Sequence, residues 1–212
     1  FYGDGGFPQV GLILSSNTLY GTATSFGGLG YGTVFAVNTD GTGFTILHNF
    51  AGGNDGLDPQ ADLILLCNTL YGTATFDGDS GDGTLFAVNT DGTRYTNLYS
   101  FTGGNDGAYP QAGLILFSNT LYGTASQGGC SSAGTVFSFS LSSPPQLSIA
   151  LFGANIILTW PTNVAGFTLQ STTNLAPLAV WTTVSPASVV VNTNNAVTNT
   201  LSGIQQFYRL IQ

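Results

Sequence analysis

Short runs of alternating apolar and polar residues cover most of the chain, and they return in a fixed order. GLIL at 11–14 recurs as DLIL at 62–65 and GLIL at 113–116. One turn later, at Asn17, Asn68 or Asn119, comes TLYGTA, and the seven letters NTLYGTA repeat unchanged at 17–23, 68–74 and 119–125, always 51 residues apart. After a glycine-rich loop follows GTVFAVN (32–38), GTLFAVN (83–89) or GTVFSFS (134–140). TDGT then leads to GFTILHNF (43–50) or RYTNLYSF (94–101). Period-two alternation bounded by Gly, Asn and Asp predicts strands. Asp40–Gly41 and Asp91–Gly92 predict hairpin turns, because Gly accepts the positive φ such turns need. Each repeat therefore reads as a four-stranded antiparallel meander. Along its second strand Leu19 is expected to face the core and Tyr20 the opposite side, with Gly21 leaving room for a neighbouring backbone. Along the fourth, Phe44, Ile46, His48 and Phe50 are expected on one face, matching Tyr95, Asn97, Tyr99 and Phe101.

The phase of the repeat defines an open array. Phe1 aligns with Phe50 and Phe101, so the fourth strand that would precede it is absent, and the third repeat runs from GTVFSFS into LSSPPQ (141–146) without a TDGT turn or fourth strand. Two full meanders and a truncated third make a propeller-blade-like domain over 1–143. Propellers typically close with 4–8 blades, so three units leave edges and faces that must be covered. A single meander cannot bury its own faces, and stacking like on like does so. Tyr20, Tyr71 and Tyr122, with Phe35, Phe86 and Phe137, are the expected packing residues between repeats.

After SSPP the repeat gives way to seven short strand candidates, LSIALF, NIILTW, GFTLQST, WTTVS, SVVVN, AVTNTLS and QQFYRLIQ. They predict a small β-sandwich of immunoglobulin or fibronectin type over 147–212, with Trp160 and Trp181 as core anchors. Such a domain reads as a spacer or attachment module.

Composition sharpens the picture. The chain has no Glu, Lys or Met, and 30 Gly, so three strong helix formers are missing from an all-β sequence. Charged residues make up 6%, leaving Thr, Ser and Asn to solvate the surface, which suits an extracellular protein that packs against copies of itself. A net charge of −8 with only Arg94 and Arg209 as strong bases excludes nucleic acid as a partner. No apolar run reaches the ~18 residues of a membrane-spanning helix. The chain reads as a mature secreted protein without a visible signal peptide.

Candidate chemistry is sparse. His48 is the one histidine, its counterpart is Tyr99, and no nucleophile-elbow sequence accompanies it, so no catalytic residues are assigned. Asp77, Asp79 and Asp82 in FDGDSGDG offer hard oxygen ligands for Ca²⁺, although the equivalent loops lack acids. Asp4, Asp55 and Asp106 recur before Pro-Gln; the expected role is to accept backbone N–H groups in a turn, with a Ca²⁺ shared between repeats as the alternative. The tyrosine row could stack sugars, but a fixed repeat position favours packing. Cys67 and Cys130 fall at opposite ends of the meander, roughly 20 Å apart along a six-residue strand, which disfavours a bond within one chain and leaves one between subunits.

The unit P-Q-x-x-L-I-L…N-T-L-Y-G-T-A…G-T-V-F-A-V-N-T-D-G-T resembles the Gloeo/Verruco (GloVer) tandem repeat over residues 1–140. The tail, with GFTLQSTTNL and QQFYRLIQ, is similar to the sandwich that ends secreted proteins of the same bacterial groups. The resemblance implies large exported proteins whose carboxy termini vary in how they are sorted or attached, and no enzymatic residues. Three expectations follow: a non-enzymatic extracellular structural protein that self-assembles head to tail into a fibre or surface layer, with a strand lent between subunits as one way to complete the third meander; a propeller closed by two chains that binds glycans or proteins through its loops; or part of a longer chain whose further repeats complete the ring.

Overall fold

The computed structural model describes residues 3–141, 145–162, 167–176, 179–200 and 205–211. Phe1 therefore lies outside the described residues, as do residues 142–144 of the LSSPPQ connection. The chain divides into two compact units, Phe1–Leu141 and Ser142–Gln212.

The first unit holds three antiparallel sheets. β1 (Ile13–Ser15), β2 (Thr18–Ala23), β3 (Thr33–Asn38) and β4 (Thr45–Asn49) form the first sheet, in that order. β5 (Ile64–Leu66), β6 (Thr69–Ala74), β7 (Thr84–Asn89) and β8 (Thr96–Ser100) repeat it, and β9 (Ile115–Phe117), β10 (Thr120–Ala125) and β11 (Thr135–Ser140) form a third with three strands. The first strand of each sheet lies two residues later than GLIL, because pairing starts at the tight turn, where Ser15 faces Thr18. That turn bends at Ser16, Cys67 and Ser118, each with φ near 55°, the residue before the asparagine.

The three sheets pack face over face. Tyr20, Val34, Ala36 and Phe50 of the first sheet meet Leu63, Leu70, Phe86 and Val88 of the second in one core. Leu85 and Phe101 of the second meet Leu114 and Leu121 of the third, flanked by Phe137 and Phe139. At each of the two joints the tyrosine face of one sheet thus meets the leucine face of the next. Backbone bonds stitch the joints: Asp58 N–H donates to Tyr31 O at 2.9 Å, and Tyr109 N–H to Asp82 O at 2.8 Å.

Three expectations about side-chain placement are corrected. Tyr20, rather than Leu19, faces the core between the first and second sheets. The alternation along β4 is broken by a bulge: Val34 pairs with His48 but Phe35 with Ile46, so Leu47 is the extra residue and is buried beside Phe50. β7 and β8 repeat the irregularity between Leu85 and Phe86. An extra residue turns two consecutive side chains out of strict alternation. Gly21, Gly72 and Gly123 make room for side chains rather than a backbone. A methyl on Gly72 would lie 2.7 Å from Phe86 Cζ and 2.8 Å from Leu63 Cδ2. Gly72→Ala should therefore cost about 1–3 kcal/mol through overpacking, read as a lower urea midpoint.

The second unit carries β12 (Ser148–Phe152), β13 (Asn155–Pro161), β14 (Thr168–Thr172), β15 (Thr182–Thr183), β16 (Val189–Val191), β17 (Asn194–Thr200) and β18 (Phe207–Ile211). They form one sheet in the order β12-β13-β17-β16 and another in the order β15-β14-β18. Ile156, Leu158 and Trp160 alternate inward along β13 and meet Leu169 and Val184 in a shared core. Trp181 is corrected from core anchor to half-buried platform, with the Arg209 guanidinium 4.2 Å over its ring.

Candidate functional site

The turns and loops use their polar residues on the protein itself. Asp40 Oδ1 accepts from Thr42 N–H at 2.9 Å and from the Thr42 hydroxyl at 2.7 Å; Asp91 does the same with Thr93 at 2.9 and 2.6 Å. Gly41 and Gly92 take φ of 82° and 80° in these turns. Asp55 accepts Ala51 N–H at 2.6 Å and lies 3.0 Å from His48 Nε2. Asp106 accepts Thr102 N–H at 2.8 Å and the Tyr99 hydroxyl at 2.9 Å. Asp4 occupies the corresponding turn ahead of the first sheet, where Gly6 bridges to Ser25.

The hydroxyl and then the N–H of Thr42 hold the Asp40 carboxyl below its ordinary range, and Thr93 does so for Asp91. Burial pushes Asp106 up, but hydrogen bonds from Thr102 and Tyr99 outweigh it and leave its carboxyl lowered as well. A carboxyl whose folded value lies below the unfolded one stabilises the fold above that unfolded value, and the gain is lost as pH falls through the depressed value. Thermal stability is therefore expected to fall below about pH 4, checked by melting curves at pH 6, 4 and 3.

His48 is the stacking partner missed by reading the chain strand by strand. Its ring lies flat on Tyr95 of the next repeat, with centroids 3.5 Å apart and planes 5° apart. The Tyr95 hydroxyl donates to Asp55 O at 2.7 Å. Burial, and then the Asp55 carboxylate, push that hydroxyl well above its ordinary range, so it remains a donor. The histidine thus joins two repeats.

The aspartates of FDGDSGDG are not gathered around a common point. Asp77 Oδ2 accepts Gly53 N–H at 2.8 Å, Asp77 and Asp82 bridge through the backbone, and among the described residues no group of three His, Cys, Asp or Glu is placed to hold a metal ion. Cys67 and Cys130 are both exposed and free. Tyr20 is buried and Tyr71 half-buried on the faces between sheets, and Tyr122 is half-buried on the outer face of the third sheet. Phe86 is fully buried against Phe50, at 5.2 Å, and Phe137 meets Phe101 at 4.9 Å. Phe35, at the same position in the first sheet, stacks on Phe44 of its own sheet at 5.6 Å.

The most distinctive surfaces are the two ends of the stack. On the first sheet, Leu12 is 53% exposed and Leu14 60%, whereas Leu63, at the place of Leu12 in the second sheet, is 4% exposed. On the third sheet, Ile115 is 67% exposed and Val136 79%, whereas Val34 and Leu85, at the place of Val136, are buried. The leucine face of the first sheet and the tyrosine face of the third are thus bare copies of two surfaces that meet twice inside the same unit. The signal was in the sequence: 51-residue spacing equates Leu12 with Leu63 and Ile115 with Ile64.

These features define an all-β tandem-repeat protein with open sheet faces. The chain belongs to the Gloeobacter/Verrucomicrobia repeat family, whose model matches residues 2–173. The match runs on past the third sheet through β12 to β14. No curated protein matches. Among solved structures, the chain is similar to one described as a nidogen/laminin complex, at 16% identity and a TM-score of 0.40; the alignment covers 68% of this chain and 51% of that one, so the chain spans about half its length. No helix among the described residues is long and apolar enough to cross a membrane.

Proposed function

We propose that this is a non-enzymatic, secreted structural protein whose copies stack head to tail, the tyrosine face of the third sheet of one copy on the leucine face of the first sheet of the next. The observation that carries the reading is the repetition of this pairing inside the chain: Tyr20 and Val34 meet Leu63 and Leu70, and Tyr71 and Leu85 meet Leu114 and Leu121. A face that fits its neighbour twice in one chain fits the same neighbour on another. Such a contact is heterologous, with a different surface on each side, and it propagates unless the rotation closes. Repeated from copy to copy without a closing rotation, this contact builds an extracellular fibre or surface layer rather than a disc. The second unit, read as an immunoglobulin- or fibronectin-like sandwich, serves as a module carried along that fibre.

Negative-stain electron microscopy of the purified protein tests the reading. Fibres or extended stacks are the expected result. Closed discs that bind a glycan array would instead support a propeller-type binding module, and dispersed monomers at all concentrations would contradict both.

A further inference from the structure

Building on head-to-tail self-association, we propose that the open edge of β11 in one copy takes β12 of a second copy as its fourth strand.

The slot is defined by its two siblings. In the second sheet, β8 covers β7, with Leu85 opposite Tyr99 and Phe86 opposite Asn97. Among the described residues β11 pairs only with β10, and its outer side borders a cleft of about 290 Å³ lined by Tyr99, Phe101, Asp106, Val136 and Phe137. An unpaired strand edge beside apolar side chains is a template for an added strand.

The strand that fits is identified by spacing. Leu47 and Phe50 are buried residues of the first meander, and Leu98 and Phe101 serve the second. Fifty-one residues beyond Leu98 and Phe101 stand Ile149 and Phe152, the same pattern of an aliphatic residue three before a phenylalanine. On β12 these side chains are 57% and 71% exposed, and among the described residues β12 is an edge strand paired only with β13. The family match runs through this strand.

The connecting turn explains why a second copy supplies it. Gly43 and Arg94, which lead into β4 and β8, have φ of 65° and 55°. The position 51 residues after Arg94 is Pro145, whose ring fixes φ near −65°. The hairpin that returns the fourth strand to its own sheet in the two full meanders cannot form in that way here, and exchange of an equivalent strand between copies is the low-cost alternative.

The register of β7 and β8, carried 51 residues on, places Val136 opposite Ala150. Two variants test this in a background of Cys67→Ser and Cys130→Ser, one carrying Val136→Cys and the other Ala150→Cys. When they are mixed, assembled and oxidised, non-reducing electrophoresis should show a disulfide-linked heterodimer. Assembly seen by light scattering without that heterodimer, or a bond that forms only within a chain carrying both cysteines, overturns the strand exchange and leaves face-to-face stacking standing. Absence of any assembly overturns both. As a second reading, Phe152→Asp should abolish assembly while leaving the thermal transition of the second unit in place; unchanged assembly overturns the exchange.

Discussion

Phe86→Ala is expected to lower the unfolding free energy of the first unit by about 3–5 kcal/mol, the range for removing a fully buried aromatic side chain. Phe86 has no exposed surface, meets Phe50 edge-on at 5.2 Å and lies under Tyr95 at 5.8 Å. It fills the space that Gly72, opposite it on the β6–β7 pair, leaves open. Phe44→Ala is the internal control. Phe44 holds the place of Tyr95 in the first sheet but is 45% exposed, because no sheet precedes it among the described residues. Its loss should cost well under half as much. Urea unfolding followed by tyrosine fluorescence reads both, and equal effects would mean that the joint between the first two sheets is not the core of the unit.

The second large effect concerns assembly rather than folding. Leu14→Asp places a charge on the leucine face of the first sheet, and Ile115→Asp places one on the tyrosine face of the third; both side chains are exposed in the single chain, so neither change should unfold it. Either variant alone is expected to stay monomeric, because burying an unpaired carboxylate in an apolar contact is strongly unfavourable. Mixed together, each supplies the face that the other lacks. The product should be a heterodimer that grows no further. Size-exclusion chromatography with light scattering distinguishes this outcome from a symmetric contact, for which the mixture would behave as the separate variants do.

Much of this was legible from the repeat itself. Period-two runs and the Asp40–Gly41 and Asp91–Gly92 turns locate strands two to four of each full meander, because local pattern and turn chemistry agree there. The bulge at Leu47 was not legible. It is set by how the fourth strand wraps over the core, and no residue type marks it. A strand glycine such as Gly21 signals close approach, but only packing reveals what approaches: at its counterpart Gly72 it is the ring of Phe86. Nothing in its own strand marks the stacking of His48, because its partner Tyr95 lies across the joint in the next repeat. Trp181 reads as a core residue by size alone, yet its ring is a platform for Arg209. The end faces were legible in principle, since 51-residue spacing predicts which residues a missing neighbour would have covered. The fourth-strand character of β12 was masked because its segment also fits the sandwich of the second unit, where it pairs with β13.

Sedimentation velocity of the unmodified protein over a hundredfold range of concentration tests the central claim most directly. Head-to-tail stacking through bare sheet faces predicts species that grow in mass with concentration, without a single preferred oligomer. One sharp boundary at the mass of a single chain, unchanged from the lowest concentration to the highest, would contradict it.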